Sequence, residues 1–524
     1  MATPKIFAYA LSNPLSVILN KPPQDFTRED FFKVIGQKNI ERITFHYTAL
    51  DGKLKELKLP IASGHQAENI LAEGERVDGS SLFKGMVDTA LSDLYVVPVF
   101  KTAFLNPFDE HSLDFVCRYL TKDGDPAPFA LDNILARASA LFQKNTGLEL
   151  YALGEIEFFL LSEKTQNIFQ AQKQIGYHAS APFIKSGQIL NEMVRHITQI
   201  TGAVKYAHSE VGFVESVRSD IEEIRNKRAE QLEIEFLPRP IIDMADYVVL
   251  GRWLIRNIAY KYGCVATFTP KIEEGVSGNG LHFHLALVKD GKNIMTGPGG
   301  SLTDQAKRLI GGLCEYADSL TAFGNMVSSA YLRLIPNQEA PTRICWSDLN
   351  RSALIRVPLG WNNIRHLSQK LNPQDVKAFE AQSGRQTVEL RSPDGSALIH
   401  LLLAGIVMAA DWAFREDGSL LFKENTALEL AEKLYVKGNV FTDKDLLKRL
   451  PALPASCVES SRILLKKREL YERDDIFPPS IIDYVARHLA DENDEFMNKK
   501  LMDLPADDRL LETRRIMHKD LHRH

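Results

Sequence analysis

Charged side chains recur two residues apart in four strand-like stretches of this sequence. Alternate residues of a β-strand share one face, so both members of each pair project from the same side of their strand. The pairs are Glu155 and Glu157 in GEIEFFLL, Glu233 and Glu235 in QLEIEFLP, His282 and His284 in GLHFHLAL, and Glu389 and Arg391 in QTVELRSPD. The four stretches could be the solvated faces of an antiparallel sheet. They could also bring carboxylates and a histidine together around Mg²⁺ or Mn²⁺.

The residue types favour the metal site. Solvated strand faces usually mix Lys, Thr, Ser and Gln, whereas these positions hold almost only Glu and His. Glycines in SGNGLHFH precede the histidine strand and would let a ligand approach the backbone closely. Buried carboxylates also need a cation or another partner.

Several arginines follow in the second half of the chain. They are Arg333 in YLRLIP, Arg351 and Arg356 in NRSALIRVP, and Arg391. Guanidinium groups bind carboxylates and phosphates through two-point contacts. Each arginine alone would be a surface ion pair, but together with metal-binding carboxylates they indicate phosphoryl transfer. The sequence contains no GxxxxGK[ST] motif, so a Walker-type nucleotide site is not expected.

Composition places these residues in an ordinary globular chain. Of 524 residues, 44% are apolar and 25% charged, and the net charge of −5 points to neither nucleic acid nor a membrane surface as a partner. The five scattered cysteines form no CxxC motif, which is typical of reduced thiols in a cytoplasmic protein. The N-terminal stretch has no signal-peptide pattern, so we expect a cytoplasmic location.

The elements that must position the charged residues divide into three parts. Residues 1–27 form an N-terminal extension with no clear pattern. Residues 28–122 read as a small β-rich domain, with a hairpin predicted at Asp51-Gly52 and strands at LYVVPVF and DFVCRYL. Residues 123–524 form a larger domain of alternating helices and strands. It includes a buried helix at LIHLLLAGIVMAA, which is too short to span a bilayer, and a helical C-terminal tail.

Seven motifs, in order along the chain, resemble those of the glutamine synthetase family. They are DGSS, GEIEFFLL, HSEVG with EQLEIEF, ATFTPK with SGNGLHFH, NQEAP, NRSALIRVP and VELRSPD. The resemblance covers roughly residues 35 to 415 and implies an α+β fold. In that fold a small N-terminal β-grasp domain precedes a large catalytic domain built on an antiparallel sheet with flanking helices.

The resemblance also implies a reaction and its cofactors. The family joins L-glutamate and ammonia to L-glutamine through γ-glutamyl phosphate, with ATP as co-substrate and two or more Mg²⁺ or Mn²⁺ ions in each site. Matching the motifs assigns Glu157, Glu210 and Glu233 to the ion nearer glutamate, and Glu155, His282 and Glu389 to the ion that bridges the ATP phosphates. His284 would contact nucleotide or phosphate.

Substrate contacts are implied in the same way. Gly278, Arg333 and Arg391 would hold glutamate, and Arg351 and Arg356 would meet the phosphates. Asp78 of a neighbouring subunit would bind ammonium and take its proton, with Glu210 and Tyr177 completing the ammonium pocket. Glu339 would lie on a flap that excludes water. The subunits would form a hexamer or dodecamer with active sites between neighbours.

The motifs depart from the family pattern at several positions. The stretch between Glu210 and Glu233 is long, so we expect an inserted surface loop near the active-site mouth, and Glu235 could take the place of Glu233. Ala286 stands where the family has a serine, and Thr387 where an arginine is common.

Two other functions stay open from sequence. A sister ligase could join glutamate to a larger amine or polyamine by the same ATP chemistry. A catalytically silent structural or regulatory relative could keep the fold, although such a protein should have lost metal ligands.

Overall fold

The structure is a computed structural model that describes residues 9–164, 168–335, 340–360, 367–377, 384–415 and 426–523. Its strands are β1 (Arg42–Thr48), β2 (Leu54–Pro60), β3 (Glu75–Asp78), β4 (Asp93–Pro98), β5 (Phe104–Leu105), β6 (Ser112–Leu120), β7 (Glu149–Ser162), β8 (Val204–Val214), β9 (Arg228–Phe236), β10 (Arg239–Pro240), β11 (Val265–Thr267), β12 (Leu281–Lys289), β13 (Lys292–Asn293), β14 (Trp346–Asp348), β15 (Ile355–Val357) and β16 (Val388–Leu390).

Helices precede, separate and follow these strands. They are α1 (Pro14–Leu19), α2 (Arg28–Lys38), α3 (Gly64–Glu73), α4 (Gly79–Leu82), α5 (Leu131–Thr146), α6 (Gly187–Thr201), α7 (Ile241–Lys261), α8 (Asp304–Gly324), α9 (Ala330–Arg333), α10 (Ile399–Phe414), α11 (Thr426–Lys433), α12 (Lys444–Arg449), α13 (Cys457–Lys466), α14 (Glu469–Glu472), α15 (Pro479–Ala490), α16 (Met497–Met502) and α17 (Ala506–His518). None of the helices in the described ranges is both long and apolar enough to cross a membrane.

The N-terminal sheet has the strand order β2–β1–β6–β4–β3, with β5 added on β6. The predicted hairpin at Asp51-Gly52 is confirmed, since β1 and β2 pair antiparallel on either side of it. Gly52 has a φ of +74°, a backbone conformation that favours glycine. The strand predicted at DFVCRYL is the central β6, which lies parallel to β1.

The larger sheet has the order β14–β15–β16–β12–β7–β9–β8. Its long central pairs are antiparallel, and β14 and β15 are parallel. The alternation in β7 places Ile156 and Phe158 against the core, and it leaves Glu155 and Glu157 on the other face. Helix α7 packs closely on the apolar face, because a Cβ on its Gly251 would stand 3.2 Å from Ile156 Cδ1. The predicted α+β class is confirmed.

The apolar run at LIHLLLAGIVMAA belongs to α10, which is buried along almost its whole length. Helix α10 packs against α5 and α8, and these helices form the layer behind the larger sheet. The charged tail is helical as predicted. The N-terminal extension is helical in part, with Leu15 of α1 and the following Phe26 both buried in the main core. The extension is anchored by isolated apolar residues that follow neither a helical nor a strand period, so the sequence shows no clear pattern there.

A buried charge cluster joins β6 of the N-terminal sheet to the helices α5, α7 and α10 that lie behind the larger sheet. Arg118 of β6 donates to Asp246 of α7 at 2.5 Å, and its Nε lies 3.5 Å from Asp132 of α5. His400 of α10 lies 3.3 Å from the other Asp246 oxygen. Burial alone would raise the pKa of Asp246, but Arg118 and His400 outweigh burial and lower that pKa to about 2.

Removing the charge at Asp246 should destabilise the protein. In Asp246→Asn, Arg118 keeps its charge but loses the nearer of its two buried counter-ions and retains only Asp132 at 3.5 Å, so we expect a loss of about 3 kcal/mol in the free energy of unfolding at pH 7. The folded-state pKa lies below the unfolded value of about 4, so this contribution is present above pH 4 and is lost as pH falls. Thermal unfolding from about pH 2 to pH 7 should show the difference from the unmodified protein shrinking at low pH.

Asp243 supplies a matched control on the same helix. It pairs with Lys101 at 2.5 Å, but the Lys101 side chain is 43% exposed. Asp243→Asn should therefore cost about 1 kcal/mol or less. Equal losses in the two variants would contradict a special role for the buried cluster.

Candidate active site

A cavity of about 1500 Å³ opens on the polar face of the larger sheet. Strands β7, β8, β9 and β12 line it together with the segment 275–278 and residues around β15 and β16. Among the residues singled out from sequence, the cavity wall contains Glu155, Glu157, Tyr177, Glu210, Glu233, Gly278, His282, His284, Arg333, Arg351, Arg356 and Arg391. Glu389 lies buried directly behind this wall.

The sheet register brings the period-two pairs side by side. His282 of β12 lies across from Glu155 of β7, and His284 lies across from Glu389 of β16. On the other side of β7, Glu155 faces Glu235 and Glu157 faces Glu233. Both Glu233 and Glu235 face β8, where Glu233 lies across from His208 and Glu235 lies across from Tyr206.

The first group of possible metal ligands is Glu155, His282 and Glu389, the residues that the family resemblance assigns to one ion. His282 Nδ1 lies 2.9 Å from one Glu155 oxygen and 3.7 Å from a Glu389 oxygen. Burial would raise the pKa of Glu155, but His284 and His282 outweigh it and hold that pKa well below its usual value. These contacts keep the carboxylate ionised and able to accept a cation.

The second group is His208, Glu210 and Glu233. His208 lies 3.3 Å from Glu233 and 3.7 Å from Glu210. Burial raises the pKa of Glu210 to about 8, and the nearby carboxylates of Glu157 and Glu233 add to the effect. Burial and the charges of Glu155 and Glu157 likewise raise the pKa of Glu233 well above its usual value. The negative charge in this corner of the site, around Glu210 and Glu233, therefore exceeds the positive charge of the side chains beside it.

His208 is a site residue that the sequence analysis missed, although it lies two residues before Glu210 on the same strand. Glu157 lies outside the close groups. Its Oε2 accepts from the backbone N–H of Gly280 at 2.8 Å and from Gln231 Nε2 at 3.3 Å.

A third group combines Glu155 with Glu235 and His284. His284 Nε2 lies 2.8 Å from Glu155, and its Nδ1 lies 3.1 Å from Thr387 Oγ1. Burial would lower the pKa of His284, but Glu155 outweighs it and raises that pKa. Glu235 also accepts from Lys205 Nζ at 2.6 Å. Thr387, one of the departures from the family pattern, therefore orients a histidine of the site.

The arginines bind residues of the acidic wall. Arg356 Nη1 donates to one oxygen of Glu389 at 2.8 Å, and Arg391 Nε donates to the other at 3.0 Å. Arg333 reaches His282 Nε2 at 3.2 Å and the carbonyl of Ser392 at 3.0 Å. Arg351 is the exposed member of this set at the cavity wall.

Gly278 lies directly beside Arg333. A Cβ on Gly278 would stand 2.4 Å from the carbonyl oxygen of Pro270 and 3.2 Å from the Arg333 side chain, so only glycine fits there. Gln231 Nε2 donates to the carbonyl of Gly278 at 3.0 Å. Gln231 is another residue that the sequence analysis missed, and no charge pattern marks it.

Asp78 does not line the cavity of its own chain. It lies exposed at the end of β3, where its carboxylate accepts from Ser81 Oγ at 2.6 Å and from Ser80 Oγ at 2.7 Å. Bonds from Ser81 and Ser80 lower the pKa of Asp78 to about 2. The carboxylate is therefore ionised and held in one orientation. Glu339 lies outside the described residues.

Tyr177 stands at the cavity edge in a group of aromatic rings. Its ring centroid lies 4.3 Å from that of His178 and 5.3 Å from that of His208, and His178 lies 4.1 Å from His208. The Tyr177 side chain is half exposed.

The donor set fits a hard divalent cation. Each of the three groups combines carboxylates with one histidine, and the ligand atoms of a group all lie within 4.8 Å of one another. Oxygen-rich sites with one nitrogen suit Mg²⁺ or Mn²⁺. The raised pKa values of Glu210 and Glu233 mark uncompensated negative charge, which a cation would offset.

Comparisons with known proteins match this arrangement to one family over most of the chain. The family model described as "Glutamine synthetase, catalytic domain" matches residues 132–500, and the model described as "Glutamine synthetase, beta-Grasp domain" matches residues 39–122. The predicted β-grasp fold of the N-terminal part is thereby confirmed.

Individual relatives agree with the family match. A glutamine synthetase from Pyrococcus horikoshii is 31% identical over 76% of this chain and 80% of its own length. One from Methylococcus capsulatus is 28% identical over 87% of this chain and 94% of its own length. The electron cryomicroscopy structure of Plasmodium falciparum glutamine synthetase superposes with a TM-score of 0.69 at 19% identity. It covers 92% of this chain and 98% of the other, and this likeness supports the fold alone. The chain belongs to the glutamine synthetase family.

Proposed function

We propose that this protein joins ammonia to the γ-carboxyl group of L-glutamate at the expense of ATP. The observation that carries the proposal is one cavity in which three carboxylate–histidine groups meet Arg333, Arg351 and Arg356. A γ-carboxylate and a triphosphate are both anionic, so they can react only where cations and guanidinium groups offset their charge. Family membership supports the same reaction.

The reaction proceeds in two steps. A γ-carboxylate oxygen of glutamate attacks the γ-phosphorus of ATP, ADP leaves, and γ-glutamyl phosphate forms. Ammonia then attacks the acyl carbon, phosphate leaves, and glutamine results. The first step is needed because a carboxylate is a poor electrophile until phosphate makes its oxygen a leaving group.

The cavity residues have different roles in this reaction, which are metal binding, glutamate binding and contact with ATP. Glu155, His282 and Glu389 hold one Mg²⁺ or Mn²⁺, and Glu157, Glu210 and Glu233 hold another, with His208 beside them. When bound, these ions neutralise phosphate charge and polarise the oxygens of the reacting groups. Arg333, Arg391 and the backbone at Gly278 bind glutamate. His284, Arg351 and Arg356 meet ATP and its phosphates, and Glu339 helps to exclude water.

Ammonium needs a group that removes its proton before attack. Asp78 is ionised and oriented by two serines, but it lies away from the cavity of its own chain. We therefore place it in the active site of a neighbouring copy, where it joins Glu210 and Tyr177 in binding ammonium and takes the proton. This arrangement requires a homo-oligomer, and the family resemblance supports a hexamer or a stacked dodecamer.

A second candidate is ligation of glutamate to a larger amine. The aromatic rings of Tyr177, His178 and His208 border the acidic corner, and aromatic faces attract organic ammonium groups as well as ammonium. The two candidates share every step up to γ-glutamyl phosphate and differ only in the attacking nitrogen.

Loss of Glu389 should abolish the reaction. Glu389→Gln removes a charge that two arginines and a metal group share, so ATP-dependent phosphate release with glutamate and ammonium should fall by about 100-fold or more. Glu163→Gln is a matched control, because the Glu163 side chain lies at the end of β7 and is 82% exposed. Near-normal release by Glu389→Gln would contradict the assigned metal role.

The position of Asp78 can be tested by mixing two inactive variants. Asp78→Asn and Glu389→Gln should each be nearly inactive alone. If every site combines Asp78 of one copy with Glu389 of another, oligomers co-expressed from both variants should regain about a quarter of normal phosphate release. If Asp78 serves its own chain, no site contains both native residues and the mixture stays inactive.

A panel of amines separates the two candidates. We expect glutamate-dependent phosphate release with ammonium, and Tyr177→Ala should raise the KM for ammonium about threefold because it removes an aromatic face from the ammonium pocket. Tyr177→Phe controls for loss of the hydroxyl. Release with an organic amine but not with ammonium would contradict glutamine synthesis and favour the second candidate, and Tyr177→Ala should then raise the KM for that amine.

A further inference from the structure

The C-terminal segment lies on the stretch of chain that leads to Gly278. Thr267 Oγ1 donates to the carbonyl of Leu521 at 2.8 Å, and Thr269 Oγ1 donates to the carbonyl of Met517 at 2.9 Å. His518 Nε2 lies 2.8 Å from the carbonyl oxygen of Ile272, and the His518 side chain is buried. These bonds fasten an irregular segment that has few ladder bonds of its own.

The inserted stretch between Glu210 and Glu233 takes part in the same contact. Its Ser219 Oγ lies 3.0 Å from His518 Nδ1. A small apolar cluster, separate from the main core, joins all the parts. Its buried members are Phe159, Leu161, Val214, Val217, Ile224, Ala229, Ile272, Val276 and Leu521. The insertion, expected to be a surface loop at the active-site mouth, thus contributes Val217 and Ile224 to a packed core under the segment 272–276.

An ion pair reinforces the contact. Arg514 of α17 binds Glu273 with its Nε 3.1 Å from both carboxylate oxygens and its Nη2 3.0 Å from one of them. Both side chains are largely buried, so this two-point contact holds the segment in one position more firmly than an exposed pair would.

The tail also holds the helix that carries Arg333. Glu492 accepts from the backbone N–H of Ser328 at 3.1 Å and from its hydroxyl at 2.6 Å, just before α9 begins. Lys519 and Arg523 in turn bind Glu492 at 2.6 Å and 2.9 Å. The last ten residues of the described chain therefore reach both segments that meet at Gly278 and Arg333.

We infer that residues 514–523 and the insertion at 211–230 act together as a positioning clamp for glutamate. The clamp fixes the segment 267–279 on one side and α9 on the other, so that Gly278 and Arg333 keep a fixed position relative to each other. None of its residues touches the reacting atoms. The inference rests on the proposed function, in which glutamate binds at these two residues.

The test is steady-state kinetics of His518→Ala, with His518→Gln as the conservative variant. We expect His518→Ala to raise the KM for glutamate about tenfold while the KM for ATP stays within about twofold, because the proposed function assigns a glutamate contact and no ATP contact to the segment that it loosens. His518→Gln keeps an N–H donor and should recover part of the loss. Arg462→Ala is the matched control, since Arg462 is exposed and pairs with Glu495, and both residues lie outside the clamp.

Hydrogen exchange supplies a readout that does not depend on activity. Amides of residues 267–279 should exchange faster in His518→Ala than in Arg462→Ala. Arg514→Ala, which breaks the Glu273 pair, should give the same pattern if His518→Ala fails to fold. Normal exchange with an unchanged KM for glutamate would overturn the clamp, and so would equal rises in the KM for glutamate and ATP. If the unmodified protein itself lacks glutamate-dependent phosphate release, the proposed function is contradicted. In that case exchange at 267–279 that is no faster in the variants than in the unmodified protein would still overturn the clamp.

Discussion

The crowding of negative charge on one face of the larger sheet governs the rest of this structure. Glu155, Glu157, Glu233 and Glu235 stand on two paired strands, with Glu210 and Glu389 close by. Like charges at this spacing repel, and burial adds the cost of removing them from water. The raised pKa values of Glu210 and Glu233 are the direct expression of that cost. A bound cation would offset that cost.

A stiff support is needed to keep these carboxylates together. The antiparallel pairing of β7 with β9 and β12 fixes the spacing of the charged residues through backbone hydrogen bonds. Behind the sheet, α7 approaches through Gly251, and α10 is apolar over nearly its whole length. The buried Arg118–Asp246 pair links this layer to the N-terminal sheet, whose exposed end carries Asp78.

Much of this could be predicted from sequence because the informative patterns are local. The period-two pairs and the Asp51-Gly52 turn each occupy a few consecutive residues, and the motif order identifies the family. Cross-strand neighbours could not be predicted, because the pairing of Glu155 with both His282 and Glu235 depends on strands far apart in the chain. The buried part of the inserted loop could not be predicted for a related reason. Val217 and Ile224 are isolated among charged residues, and only the distant Leu521 makes a core of them.

The two walls of the cavity are therefore built on different principles. The acidic wall is regular sheet, where a shift of one residue would turn every carboxylate to the wrong face, so its geometry tolerates little change. The wall that carries Gly278 and Arg333 consists of an irregular segment and a short helix, and distant parts of the chain hold both in place. Under the clamp that we infer, changes in the tail or the insertion would alter how firmly a substrate is held, while the strand pairing keeps the acidic wall in register. In the proposed function the metal ligands therefore lie mainly in the sheet, whereas the fit to glutamate depends on the parts that pack around it.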